Sequence, residues 1–255
     1  MHRSLRIAAL ACALLGAGVA ASAAQEERVF TAAYTVHIGP LQGDFDLRFA
    51  VRGERYEATA TRRSRGLART LVGDKQDYRY AANGAVAATR LLPAAYEHQG
   101  GRRNRLVKVA FDGAAVTTTA SPAMSLGEPP ASAAQKEGAI DFLSFFVAAA
   151  LAPGADQPCQ RTLRVFDGRA LFDMALAPAG REKVSTPAWS GQAYRCSVQY
   201  TPIAGYRDPV KPATLTFLFA PRQDGVFAPL RIEMPTEDAG VVRLEARKFT
   251  VTGST

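Results

Sequence analysis

Few side chains in this 255-residue chain have the types and spacing that chemistry requires. There are three histidines, His2, His37 and His98, and three cysteines, Cys12, Cys159 and Cys196. His37 stands between Val36 and Ile38 in a strand-like run, and His98 reads as part of a loop before Gly100-Gly101. Two histidines outside the first residues are too few for a three-His zinc centre, and no carboxylates are placed to complete a two-His site. A Ser-His-Asp triad would need a Gly-x-Ser-x-Gly elbow, and the chain has none. Asp44 and Asp46, at i and i+2, share one face of a strand. Paired carboxylates serve glycoside hydrolysis, but here they read as the wet face of a sheet. Phosphate-cradling and dinucleotide-binding glycine patterns are also missing. No catalytic residue, metal ligand or cofactor is therefore assigned. A non-enzymatic protein is expected, with a hydrolase acting on an envelope polymer as the alternative.

Cysteine usage and the first residues point to a compartment. His2, Arg3 and Arg6 form a basic start, Ile7 to Ala21 is apolar, and Ala21-Ser22-Ala23 supplies the small residues of a cleavage site. Residues 1–24 read as a secretory signal cut near Ala23. The apolar stretch falls short of the roughly 20 residues of a spanning helix. A lipoprotein signal at Cys12 would leave an apolar region too short after Arg6. No later stretch is long and apolar enough to span a bilayer, so a soluble, periplasmic protein is expected. Losing Arg3 and Arg6 lowers the net charge from +8 to +6 and leaves Cys159 and Cys196 as the cysteine pair. In an oxidising compartment such a pair becomes a disulfide. Closing residues 159–196 into a loop is worth about 4 kcal/mol in the chain-entropy model. The redox alternative lacks Cys-x-x-Cys.

The elements behind these residues are strands. Phe45, Leu47, Phe49 and Val51 alternate with charged residues, as do Leu230, Ile232 and Met234, and Val242 and Leu244. Period-two alternation marks an antiparallel sheet with one buried face. Asn83-Gly84, Asp112-Gly113, Asp167-Gly168 and Asp224-Gly225 sit between such runs, and these pairs accept the positive φ of tight hairpins. About a dozen strands are expected, in a mainly β, single domain over 25–255. A long antiparallel meander must curl or split to cover its apolar face, and a half-barrel or β-spiral is expected. Residues 118–136, small and Pro-rich, read as a long loop. Ile140 to Leu151 reads as a helix with Asp141 near its start and Pro153-Gly154 at its end. It is apolar nearly all round, so it must be covered on several sides. It could pack on the concave side of a curved sheet or as a core helix on a flat one, and the former is expected.

Two groups of residues suggest binding. Phe142, Phe145 and Phe146 of the helix could line a pocket for an acyl chain, with Tyr206 and Arg207 as further ligand or partner contacts. Core packing is the commoner use of such aromatics. Residues 48–108 carry 14 Lys+Arg against five acids, net +9, leaving −3 for the rest of the mature chain. Arg62, Arg63, Arg65, Arg69, Arg102, Arg103 and Arg105 would form a basic face for lipid phosphates or an acidic partner. The competing reading is a solvated face that discourages edge pairing. No nucleic-acid motif appears, so nucleic acid is not an expected partner.

Several segments together resemble a family. They are Tyr34-Thr35-Val36, Leu92-Pro93 with Tyr96, Asp141-Phe142-Leu143-Ser144, Phe166-Asp167-Gly168-Arg169, Cys196 through Gly205-Tyr206-Arg207, and Pro229-Leu230-Arg231-Ile232-Glu233 followed by Gly240. Their order and spacing over roughly 30–250 resemble the exported bacterial family called domain of unknown function 3108. The resemblance implies a periplasmic β protein and transfers no catalytic residue. The expected architecture is similar to that of envelope proteins that handle lipids, lipoproteins or peptides in an open β half-barrel. The expected function is support of envelope integrity by binding a lipid, lipoprotein or protein partner.

Overall fold

The computed structural model describes residues 27–72, 77–87, 90–113, 115–151, 158–236 and 240–253; the signal segment read in residues 1–24 lies outside them. The first half of the chain forms β1 (Glu27–Ile38), β2 (Leu41–Arg52), β3 (Arg55–Arg65), α1 (Gly66–Val72), β4 (Tyr78–Ala87), β5 (Arg90–Gly100), β6 (Arg105–Asp112) and β7 (Ala115–Ser121). Then come α2 (Ala133–Lys136) and α3 (Phe142–Ala150). The second half forms β8 (Arg161–Phe166), β9 (Leu171–Thr186), β10 (Trp189–Ala204), β11 (Ala213–Phe219), β12 (Pro229–Thr236) and β13 (Gly240–Thr252).

All thirteen strands join one open antiparallel sheet, in the order β7-β6-β5-β4-β3-β2-β1-β13-β12-β11-β10-β9-β8. Every neighbour but one is a sequential hairpin partner. The exception is the central seam, where β1 pairs with β13 from Val29↔Thr252 to Ile38↔Val242. The sheet therefore grows outward from its middle in two arms, and the two outermost strands, β7 and β8, are consecutive in sequence. Residues between them carry α2 and α3.

Alternation places the core as expected: Phe45, Leu47 and Phe49 are buried on β2, and Phe30 stacks on Phe49 at 5.0 Å between ring centroids. Helix α3 touches both arms. Phe146 meets Phe45 of β2 at 5.8 Å, Phe142 meets Tyr80 of β4 at 5.8 Å, and Phe145 meets Phe217 of β11 at 5.9 Å. Every residue from Leu143 to Ala150 is buried. Just before it, Ile140 pairs with the outer edge of β8, donating its N–H to Arg164 O at 2.8 Å and accepting from Phe166 N at 2.8 Å.

Four local expectations are corrected. The loop read over 118–136 is shorter, because β7 continues to Ser121 and α2 occupies 133–136. Helix α3 starts and ends inside the expected span, with Asp141 as its N-cap and Leu151 as its C-cap. His98 lies within β5, not in a loop. Asn83-Gly84 is no hairpin turn: it lies within β4, at a register shift against β5. A Cβ on Gly84 would come within 2.8 Å of the Tyr56 ring, so this glycine serves close packing. The other three Asp-Gly pairs do turn between strands, and Asp224 and Gly225 take φ of +46° and +80°. The Asp167 carboxylate accepts from Arg169 N at 2.9 Å and Ala170 N at 2.7 Å, as Asp does in tight turns.

Candidate functional site

A cavity of about 530 Å³ lies between the two ends of the sheet. One wall is the end of the first arm, where β4, β5, β6 and β7 contribute Val86, Leu91, Phe111 and Val116. The other is edge strand β8 with Thr162 and Leu163, and α3 closes the site with Ile140 before it, Ala148 in it and Leu151 after it. Its volume falls within the roughly 300–1,000 Å³ typical of ligand pockets. Four cations line it, Arg90, Lys136, Arg161 and Arg164, and among the described residues no carboxylate does.

Three of these cations, Arg161, Lys136 and Arg164, are positioned by the local fold. Arg161 opens β8, two residues after the disulfide between Cys159 and Cys196, whose Cα atoms are 5.5 Å apart. The Cys159–Cys196 bond expected from the sequence is thus present, joining the start of β8 to β10. Arg161 donates through Nη2 to the carbonyl of Ala148. The last carbonyls of a helix lack intrahelical donors and carry its negative pole, which makes a guanidinium a fitting cap. Phe227 N donates to the carbonyl of Ala150 at 2.8 Å. The Nε of Arg161 is buried and has no hydrogen-bond partner among the described residues. Burial lowers the guanidinium from its usual range to about 10. Lys136, ending α2, donates Nζ to Val116 O at 2.6 Å and sits over the Phe166 ring. Arg164 forms a two-pronged pair with Asp173, at 2.9 and 3.1 Å.

The opposite end of α3 holds the other buried polar group. Asp141 and Ser144 are both 0% exposed. Asp141 Oδ1 accepts from Ser144 N at 2.9 Å, Oδ2 accepts from Ser144 Oγ, and Ser144 Oγ meets Tyr56 Oη of β3 at 2.5 Å. Burial outweighs these bonds and raises the Asp141 carboxyl to about 6. This chain of bonds ties the helix start to the sheet. Asp141 does not line the cavity.

The sequence candidates are dispersed. Phe145 and Phe146 are buried in the core and Phe142 is half-buried, and none of the three lines the cavity. Tyr206 bonds Tyr200 at 2.5 Å between hydroxyls, and its carbonyl accepts from Glu128 N at 3.0 Å. Arg207 is exposed. Gly205-Tyr206-Arg207, which reads in sequence as a turn fixed by the disulfide, is held instead by backbone bonds to the 128–129 segment and by Arg169 Nε on Gly205 O at 3.0 Å.

The basic residues do not share one face. Arg62 has the strand parity of the buried Ala58 and Ala60 and stacks over the Tyr78 ring at 4.7 Å. Arg63 and Arg65 pair with Asp46 and Asp44 at 2.6 and 3.1 Å, which occupies the two carboxylates weighed for hydrolysis. Arg69 faces Asp77 at 3.8 Å, and Arg105 donates to the carbonyls of Pro122 and Ala123. Arg102 and Arg103 are exposed in the turn after β5.

His37 on β1 and His98 on β5 have three strands between them. His98 lies among Tyr78, Tyr80 and Tyr96, with ring centroids 5.6 to 6.3 Å away, and burial lowers its pKa. Among the described residues no cluster of three or more His, Cys, Asp or Glu is placed to hold a metal ion, and no helix is long and apolar enough to cross a membrane.

The family model described as Protein of unknown function (DUF3108) matches residues 30–247. The chain belongs to this family. That match takes in every strand in whole or in part, from β1 to β13, and all the cavity residues named above. No curated protein matches the chain. Sequence reasoning missed Arg90, Lys136 and Arg161 because each looks like a solvated cation. The usable signal was Arg161 standing two residues after a disulfide cysteine.

Proposed function

We propose that this protein is an exported, non-enzymatic envelope protein that binds a lipid, lipoprotein or protein partner in a curved β scaffold. The cavity between the ends of the sheet carries the reading. A half-barrel with its helix on the concave side accounts for this cavity, because bending the sheet around α3 would bring β4–β7 and β8 to opposite walls of one space. Support also comes from the tip of the β8–β9 turn, where a Cβ on Gly168 would reach Val107 of β6 within 2.8 Å. An apolar space with a few polar groups is the ordinary form of a small-molecule site.

The hydrolase alternative has less to draw on. It needs a carboxyl of raised pKa within reach of substrate, and Asp141, raised to about 6, is fully enclosed and committed to Ser144. The test is native mass spectrometry of the mature protein from its own periplasm, before and after organic extraction. A co-purifying acyl species lost on extraction supports the reading. An unliganded mass, together with envelope sensitivity unchanged on loss of the protein, would sink it.

A further inference from the structure

The charge inventory of the cavity is one-sided. Arg164 is neutralised by Asp173, but Arg90, Lys136 and Arg161 have no carboxylate partner among the described residues. Lys136 and Arg161 use backbone carbonyls, which satisfy a donor without cancelling a charge. A cation drawn into a low-dielectric wall is costly unless an opposite charge meets it. The fold keeps Arg161 in that position, with a buried Nε still unbonded, and sets half-buried Lys136 and exposed Arg90 around the same space. The remaining wall is apolar, from Leu91, Phe111, Ile140 and Leu163. An anion alone would leave that wall uncovered, and a neutral chain alone would leave the cations without a counter-charge.

We propose that the cavity takes a single-chain amphiphile with an acidic headgroup, carboxylate or phosphate. The headgroup lies against Arg161, Lys136 and Arg90, and the acyl chain lies along Leu91, Phe111, Ile140 and Leu163. This inference rests on the ligand-binding reading above and assigns its chemical class. Charge-assisted hydrogen bonds to Arg and Lys are stronger than neutral ones, so the acid is discriminated from its uncharged analogue.

Isothermal titration of the mature, disulfide-bonded protein with decanoate, decyl phosphate, 1-decanol and inorganic phosphate tests it. One decanoate or decyl phosphate per chain is expected, bound at least tenfold more tightly than decanol, with inorganic phosphate alone not binding. Arg161→Met should weaken decanoate at least tenfold and leave decanol unchanged. Arg90→Met, at an exposed position, repeats the measurement should the first variant fail to fold. Equal affinity for acid and alcohol, or decanoate affinity unchanged in both variants, overturns the acidic-headgroup assignment and leaves ligand binding standing. Inorganic phosphate binding as tightly as decyl phosphate makes this an anion site and overturns the amphiphile. Failure of both decanoate and decanol to bind overturns this proposal, while a lipid found by native mass spectrometry would still uphold the broader one.

Discussion

The two ends of helix α3 solve the same problem in opposite ways. At its start a buried carboxyl is surrounded by donors: Ser144 supplies N–H and hydroxyl, and Tyr56 continues the chain of bonds into β3. At its end a guanidinium is given a single carbonyl, an unbonded Nε and no counter-charge among the described residues. Buried polar groups in folded proteins are almost always satisfied. The first end obeys that rule within the chain. The second leaves room for something outside it. One end holds the helix to the sheet, and the other is where the proposed acidic headgroup would lie.

The contrast can be broken or sharpened in descending order of effect. The Arg161 end is anchored by a covalent link, so replacing Cys159 and Cys196 by alanine should cost about 4 kcal/mol in urea unfolding. That variant should also weaken decanoate binding, because β8 forms one wall of the cavity. Full binding after loss of the bond would show that the wall is set by β-pairing alone.

Asp141→Ala is expected to cost about 3 kcal/mol at pH 5. It removes a helix cap, worth about 1 kcal/mol, and leaves Ser144 and Tyr56 short of a buried partner, about 2 kcal/mol more. Denaturant midpoints would measure it.

The Asp141 carboxyl also gives a pH signature. Its folded pKa of about 6 lies above the ordinary 3.8, so the folded state keeps the proton between those values while the unfolded state has lost it. Its contribution is therefore present below about pH 4 and falls away as pH rises to about 6, by about 3 kcal/mol at most. The stability difference between the wild type and Asp141→Asn, followed from pH 4 to pH 7, should carry that fall. A flat difference would mean that the donors around Asp141 outweigh its burial.

Arg161→Met should move stability by less than about 1 kcal/mol, because the lost bond to Ala148 is offset by relief of a buried charge. A loss as large as that of Asp141→Ala would make the two ends equivalent and remove the contrast. Smallest of all, Arg63→Ala breaks an exposed pair with Asp46 and should cost about 0.5 kcal/mol or less.

The sheet was readable because its signal is local. Phe45, Leu47 and Phe49 alternate on one strand, and Asp112-Gly113, Asp167-Gly168 and Asp224-Gly225 stand at real turns. Asn83-Gly84 misled because glycine has two uses. Beside Tyr56 it permits contact between side chain and backbone, and sequence does not separate that from positive φ. His98 misled because Gly100-Gly101 marks the end of β5, two residues beyond it. The helix start was legible through Asp141, whose capping partner Ser144 is three residues away. The cavity was not, because its walls come from residues 86 to 164 on several elements. Nothing in the vicinity of Arg90 or Lys136 in sequence marks them off from the other cations, and Arg161 is marked only by the cysteine two residues before it. The aromatics of α3 drew attention because they are many, and they proved to join the helix to both arms of the sheet.

The seam between β1 and β13 has a consequence for timing. Hairpins such as β2–β3 or β9–β10 can form as soon as both strands exist, since their partners lie a few residues apart. Val29 must wait for Thr252, separated by nearly the whole described chain. Contacts of such long separation are the slow step in β folds. Until the last strand arrives, β1 presents a bare edge with Phe30 and Tyr34 on it, the kind of surface that pairs with other chains. The molecule is thus most open to misassembly in the interval before its final strand docks, and truncations that remove β13 should aggregate rather than leave a smaller folded unit.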